Sequence, residues 1–148
     1  MPTLTRWFLK SSLLYLLLAV LLGVLLEIPN TFDLDWSVRA FSPFYFHSFM
    51  VGWVAQLIFG VVFWMFPKFS KEQPRGSETL GWATFWLLNS GLLIRLVAEP
   101  AQAIQNQVWW SWLLALSAVL QWLAVFYGHK FLRRMASQPE NRRTAVVI

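Results

Sequence analysis

The sequence predicts an all-α integral membrane four-helix bundle with both termini cytoplasmic, and three observations carry that reading. The 148 residues are 57% hydrophobic and only 13% charged, against about 25% charged in an ordinary soluble domain. The apolar residues gather in four long runs instead of recurring at the intervals of a helix that buries one face. Ten of the twelve lysines and arginines then fall on one side of the membrane if the chain crosses four times.

The first run, about 11–28, contains LLYLLLAVLLGVLL. Arg6 and Lys10 precede it like the charged front of a signal peptide, but its apolar stretch is too long for a signal core. Glu27-Ile28-Pro29-Asn30 offers no small-residue cleavage pattern, so the run reads as a retained helix. Residues 29–43 suit a brief amphipathic helix on the outer interface, with Phe32, Trp36 and Phe41 toward the bilayer and Asp33, Asp35 and Arg39 toward water. The second run covers about 45–66 and is closed by Pro67; residues 68–77 then form a turn around Pro74-Arg75-Gly76. The third run covers about 79–98 and stops at Glu99-Pro100, ahead of a polar outer loop at 102–107. The fourth covers about 108–128, and 135–148 is expected to be a mobile polar tail. About 20 helical residues span about 30 Å, so each run crosses once, and 1–148 reads as one membrane domain.

Charge placement orients the crossings. Arg6, Lys10, Lys68, Lys71, Arg75, Lys130, Arg133, Arg134, Arg142 and Arg143 share the expected cytoplasmic side, while Arg39, Arg95, Glu27, Asp33, Asp35 and Glu99 belong to the other. Trp7, Trp36, Trp64, Trp82, Trp109, Trp110 and Trp112 mark the boundaries as an aromatic belt does. The +5 charge therefore flanks a bilayer and implies no nucleic-acid partner. Without cysteine there is no disulfide scaffold, thiolate metal site or cysteine nucleophile. No HExxH, phosphate-binding glycine loop or serine-histidine-acid combination is present either.

Polar residues inside the runs are the candidate functional set. Ser48, Gly52, Gln56 and Gly60 recur every four residues on one helical stripe, which suits close helix packing with an interhelical bond from Gln56, and makes a homodimer plausible. His47 stands one turn inside the outer edge, where an imidazole serves either an interfacial hydrogen bond or a metal ion. Arg95 precedes Glu99 by four residues. It either pairs with that acid or holds an anionic group such as a haem propionate or lipid phosphate, at a depth shared with His47. Asn89 and Gly91 suit an interhelical bond and a close approach on the third span, and Ser117 and Gln121 the same on the fourth. His129 is expected at the opposite face of the membrane from His47, which argues against a two-histidine haem site within one chain.

The segment from His47 through Gly60 to Trp64 and Pro67 resembles the second helix of the catalytic subunit of haem-copper oxidases. The stretch LLNSGLLIRL, residues 87–96, is similar through Asn89, Gly91 and Arg95 to haem-copper membrane proteins of the nitric-oxide-response family. The resemblance implies haem b near the periplasmic face, with His47 as axial ligand and Arg95 as propionate partner. His47 to Pro67 is about one turn shorter than the oxidase pattern, and the three copper histidines and the active-site haem ligand have no counterparts, since His129 is the only other histidine. Oxygen reduction at a binuclear centre is therefore not expected; a reduced four-helix haem module is.

The expected function is that of a haem b-binding protein of the bacterial inner membrane, in electron transfer, haem handling or gas sensing. Its second axial ligand would be His47 of another copy across a two-fold axis, or Met50. The lipid bilayer, a second copy, and a respiratory-chain or haem-protein partner are the expected associates. The competing readings are a cofactor-free accessory or assembly protein, and a small quinone- or lipid-binding protein.

Overall fold

The computed structural model describes residues 2–32, 36–65 and 78–136. Asp33, Asp35, Pro67, the expected turn at 68–77 and the tail beyond Ala136 lie outside the described residues.

Backbone N–H and C=O groups have no water to bond in hydrocarbon, so an apolar chain satisfies them within each segment by winding into helices. Helix α1 covers Thr3–Phe32. After a 3₁₀ turn at Trp36–Phe41, α2 (Ser42–His47), a π-wound segment (Ser48–Ala55) and α3 (Gln56–Met65) follow without a break as one rod. Helix α4 covers Glu78–Ile104 and α5 Val108–Ala136. Four stretches are long and apolar enough to cross a membrane: Thr3–Ile28, Arg39–Met65, Glu78–Ile104 and Val108–Arg133. The fold is thus an all-α four-helix bundle of a multi-pass membrane protein, and the exposed Trp109, Trp112, Leu116, Val119 and Trp122 of α5 form a lipid-facing exterior.

Three helix ends depart from the sequence-based expectation. Pro29 does not stop α1 at Ile28; the helix continues through it to Phe32. Helix α4 does not end at Glu99-Pro100 but runs to Ile104, which leaves a shorter outer loop than 102–107. Pro100 removes one backbone donor, yet it is buried, and the next turn closes with Gln105 N–H donating to Ala101 O at 2.8 Å. Helix α5 continues past Gly128 because that glycine is a packing position: a Cβ there would stand 2.6 Å from the Phe59 ring.

The helices alternate in direction. Leu4 and Phe8 near the start of α1, Phe63 near the end of α3, Phe85 in the first turns of α4 and Phe131 near the end of α5 form one buried aromatic cluster. Phe8 meets Phe85 edge-on, centroids 5.2 Å apart, and Phe63 meets Phe131 at 5.2 Å. The first described helix begins and the last one ends at this same end of the bundle. The opposite end carries the 3₁₀ turn, α2, the end of α4 and the start of α5.

The expected small-residue stripe is buried in full: Ser48, Gly52, Gln56 and Gly60 all face inward. Around an α-helix of about 3.6 residues per turn a four-residue step overshoots, whereas around a wider π turn it falls short. The π-wound half from Ser48 to Ala55 and the α-wound half from Gln56 therefore drift in opposite senses, which keeps the stripe on one side of the rod. Gly52 meets Tyr15 and Gly60 meets Phe8, both on α1 of the same chain. The stripe is used inside the bundle, which removes it as an argument for a dimer.

Candidate functional site

His47 is the last residue of α2, where the rod changes from α to π winding. Its Nδ1 lies 2.9 Å from the carbonyl oxygen of Pro43, one turn earlier. A carbonyl can only accept, so Nδ1 carries the proton of this bond, and in the neutral ring Nε2 keeps its lone pair. The fold thereby fixes both the tautomer and the tilt of the ring.

On the other side of Nδ1 stands Glu99 of α4, its Oε1 3.5 Å away. The same oxygen accepts from Arg95 Nη1 at 2.6 Å, across one turn of α4. Side-chain exposure is 31% for His47, 15% for Arg95 and 5% for Glu99, so the carboxylate is the most enclosed member of the trio. Its enclosure follows from the run of α4 past Pro100, which sets Glu99 inside the helix instead of at the helix end the sequence suggested. A carboxylate in that position requires a cation within reach, and Arg95 supplies it.

At this end of the bundle four buried polar atoms have no hydrogen-bond partner among the described residues. Glu99 Oε2 and Arg95 Nε belong to the trio itself, Ser48 Oγ is on the next residue after His47, and Trp110 Nε1 is on the first turn of α5. Arg95 Nε and Trp110 Nε1 are donors wanting an acceptor; the chemistry of a ligand carboxylate would suit them.

Deeper in the bundle the polar residues serve each other. Gln56 Nε2 donates to Asn89 Oδ1 at 3.3 Å, and Asn89 Nδ2 donates to Phe85 O at 2.8 Å. Ser117 Oγ of α5 donates to Gly91 O of α4 at 2.8 Å, and a Cβ at Gly91 would meet Gln121 Cγ at 2.9 Å. These contacts hold α4 against the rod and against α5.

Of the residues singled out from sequence, His47, Arg95 and Glu99 come together at the end of the bundle away from the aromatic cluster. Met50 stands on the rod three residues beyond His47 and is 57% exposed. His129 is exposed on α5 near the aromatic end, so one chain does not bring its two histidines to one site. Among the described residues no group of three or more histidine or acidic side chains could enclose a bare metal ion. Sequence reasoning did not reveal the Pro43 carbonyl or the π-wound segment. The only trace of the first is a spacing of four between Pro43 and His47, and the second has no sequence signal of its own.

The family model for Cytochrome C and Quinol oxidase polypeptide I matches residues 1–128, a stretch that takes in all three members of the trio and the buried stripe of the rod. No curated protein and no solved structure matches the chain. The match extends over most of the sequence, and the chain belongs to the Cytochrome C and Quinol oxidase polypeptide I family.

Proposed function

We propose that the chain binds haem b at the end of the bundle that carries His47, with His47 Nε2 as an axial ligand, and that it serves electron transfer, haem handling or gas sensing. The carrying observation is the Nδ1 to Pro43 O bond of 2.9 Å. Histidines that ligate iron hold their other ring nitrogen on a carbonyl or carboxylate, which fixes the ring and leaves the second nitrogen's lone pair for the metal. Family membership supports the same reading, since the histidine at this place in the second span is where the resemblance to the oxidase subunit puts a haem ligand. The donor set fits the group: an oriented imidazole, and Arg95 Nε and Trp110 Nε1 as buried donors for propionate oxygens.

Haem iron, when bound, supplies a one-electron couple or a site for a diatomic gas. The chain's own contribution is to orient His47 and to neutralise Glu99 with Arg95. A second axial ligand would come from outside this chain, because Met50 shares the rod with His47 and two ligands on one helix would not reach opposite faces of a porphyrin. His47 of a second copy is our choice for it, which makes the working unit a dimer. The proposed setting is a bacterial inner membrane with both termini cytoplasmic, as the flanking charges suggest. Partners beyond the bilayer would be respiratory-chain or haem proteins.

The test is a reduced-minus-oxidised visible spectrum of detergent-purified protein from haem-supplemented cells. The expected result is sharp alpha and Soret bands at close to one haem per dimer, lost in His47→Ala and kept in His129→Ala. A folded protein that stays colourless overturns the proposal in favour of a cofactor-free accessory role, in which the Arg95 to Glu99 pair only fastens one turn of α4.

A further inference from the structure

We infer that Glu99 is a positioning residue that acts through His47: its carboxylate raises the electron density of the imidazole and lowers the reduction potential of the haem iron, and Arg95 sets how much of that charge His47 feels. The inference rests on the haem reading above. It gives Glu99 a role of its own, since the resemblance concerns His47 and Arg95 as contacts of the haem, whereas here Arg95 faces Glu99 and Glu99 faces His47.

The geometry is that of a charge relayed between two helices. Glu99 Oε1 stands 3.5 Å from His47 Nδ1 and 2.6 Å from Arg95 Nη1. The Nδ1 proton is held by the Pro43 carbonyl at 2.9 Å, so Glu99 acts on the ring as a neighbouring charge more than as the acceptor of the bond. A carboxylate on the far side of a ligand imidazole makes the ligating nitrogen a stronger donor and favours the more positive, oxidised iron. Because the Glu99 side chain is 5% exposed, solvent screens this field weakly.

Two details make the arrangement more than a helix-surface ion pair. Arg95 uses one terminal nitrogen on Glu99, and among the described residues its Nε and Glu99 Oε2 have no partner. An ordinary i, i+4 pair would satisfy these atoms from solvent. The carboxylate is also turned toward a residue on another helix, with its countercharge standing on its own. A change at Arg95 and a change at Glu99 must then move the iron in opposite directions, an outcome that packing alone does not produce.

The experiment is a potentiometric titration of the visible bands in wild-type protein, Glu99→Gln, Arg95→Met, Arg95→Lys and the Glu99→Gln/Arg95→Met double variant, with haem content measured in each. Glu99→Gln is expected to favour the reduced form about tenfold, a rise of about 59 mV for a one-electron couple. Arg95→Met, which leaves the carboxylate unopposed, is expected to shift the equilibrium by a similar factor the other way. Arg95→Lys keeps the charge and is expected to stay within about twofold of wild type. If Arg95→Met does not assemble, the double variant decides, because two equal and opposite shifts should cancel and give a value close to wild type and below Glu99→Gln. Equal potentials in haem-loaded wild type and Glu99→Gln, or shifts of the same sign in Glu99→Gln and Arg95→Met, overturn this inference and leave the haem reading standing. A colourless wild-type protein overturns both.

Discussion

The two ends of the bundle are built on different physics. Where α1 begins and α5 ends, Leu4, Phe8, Phe63, Phe85 and Phe131 close on one another with no polar atom in the cluster. At the other end the rod and α4 meet through a histidine, a glutamate and an arginine, and the last two carry unmatched buried atoms. Lipid chains are as apolar as phenylalanine, so the aromatic end is stabilised by close packing and not by escape from water. The charged end has the opposite balance. Each of its members costs free energy to bury alone, and they are tolerable only together. A bundle assembled for stability alone would resemble the aromatic end throughout. Thr5 Oγ1 beside Leu4 is unmatched as well, but only the other end sets unmatched atoms on a charged pair, Arg95 Nε and Glu99 Oε2.

The largest effect should come from splitting the charged end. Arg95→Leu leaves Glu99 buried without its cation, and a loss of about 3 kcal/mol is expected, the lower part of the range for a broken buried pair because Arg95 is partly exposed. Reversible unfolding in mixed micelles measures it; a loss below about 1 kcal/mol, the level of a surface pair, would erase the contrast between the two ends. At the aromatic end Phe63→Ala should cost about 2 kcal/mol, less than the usual 3 to 5 for a water-soluble core, since lipid solvates the exposed surface. The same unfolding assay reads this variant, and its haem content should match that of wild type.

Between the ends, Gly52→Ala is expected to cost about 1 to 2 kcal/mol, because the added Cβ would stand 2.6 Å from Tyr15 Cγ. Gly23→Ala is the control: its nearest neighbour is the rim of the Tyr45 ring at 3.3 Å, which can give way, so the change should be close to neutral in the same assay. Equal losses in the two would mean that α1 does not press on the stripe as tightly as these distances require. The smallest effect belongs to the polar pair in mid-bundle. A double-mutant cycle of Gln56→Leu and Asn89→Leu should return a coupling of about 0.6 kcal/mol, typical of interhelical hydrogen bonds in lipid and consistent with a 3.3 Å bond. A coupling above about 2 kcal/mol would mark this pair as a second organising centre of the rod.

Four spans, their approximate limits and the shared level of the residues at 47, 95 and 99 were legible in the amino-acid order. Hydrophobic run length and the spacing of four between Arg95 and Glu99 are local properties of the chain. The burial of Ser48, Gly52, Gln56 and Gly60 was legible for the same reason, because a repeat of four selects one side of a helical rod. Helix ends were read less well. Pro29, Pro100 and Gly128 carry stop signals in water, yet in the bundle each helix runs on, since a broken helix in an apolar medium would expose more backbone groups than it relieves.

What the sequence alone determined was that His47, Arg95 and Glu99 belong to the same level of a membrane bundle. Which of these side chains face one another arose from helix packing. Residues 47 and 99 are 52 positions apart, and their approach to 3.5 Å depends on the pitch of the π-wound segment, the passage of α4 through Pro100 and the way glycines let α1 close on the rod. None of these is written in a local pattern. Each arises from packing between helices, which fixes the rotation of a rod about its axis only when its neighbours are in place.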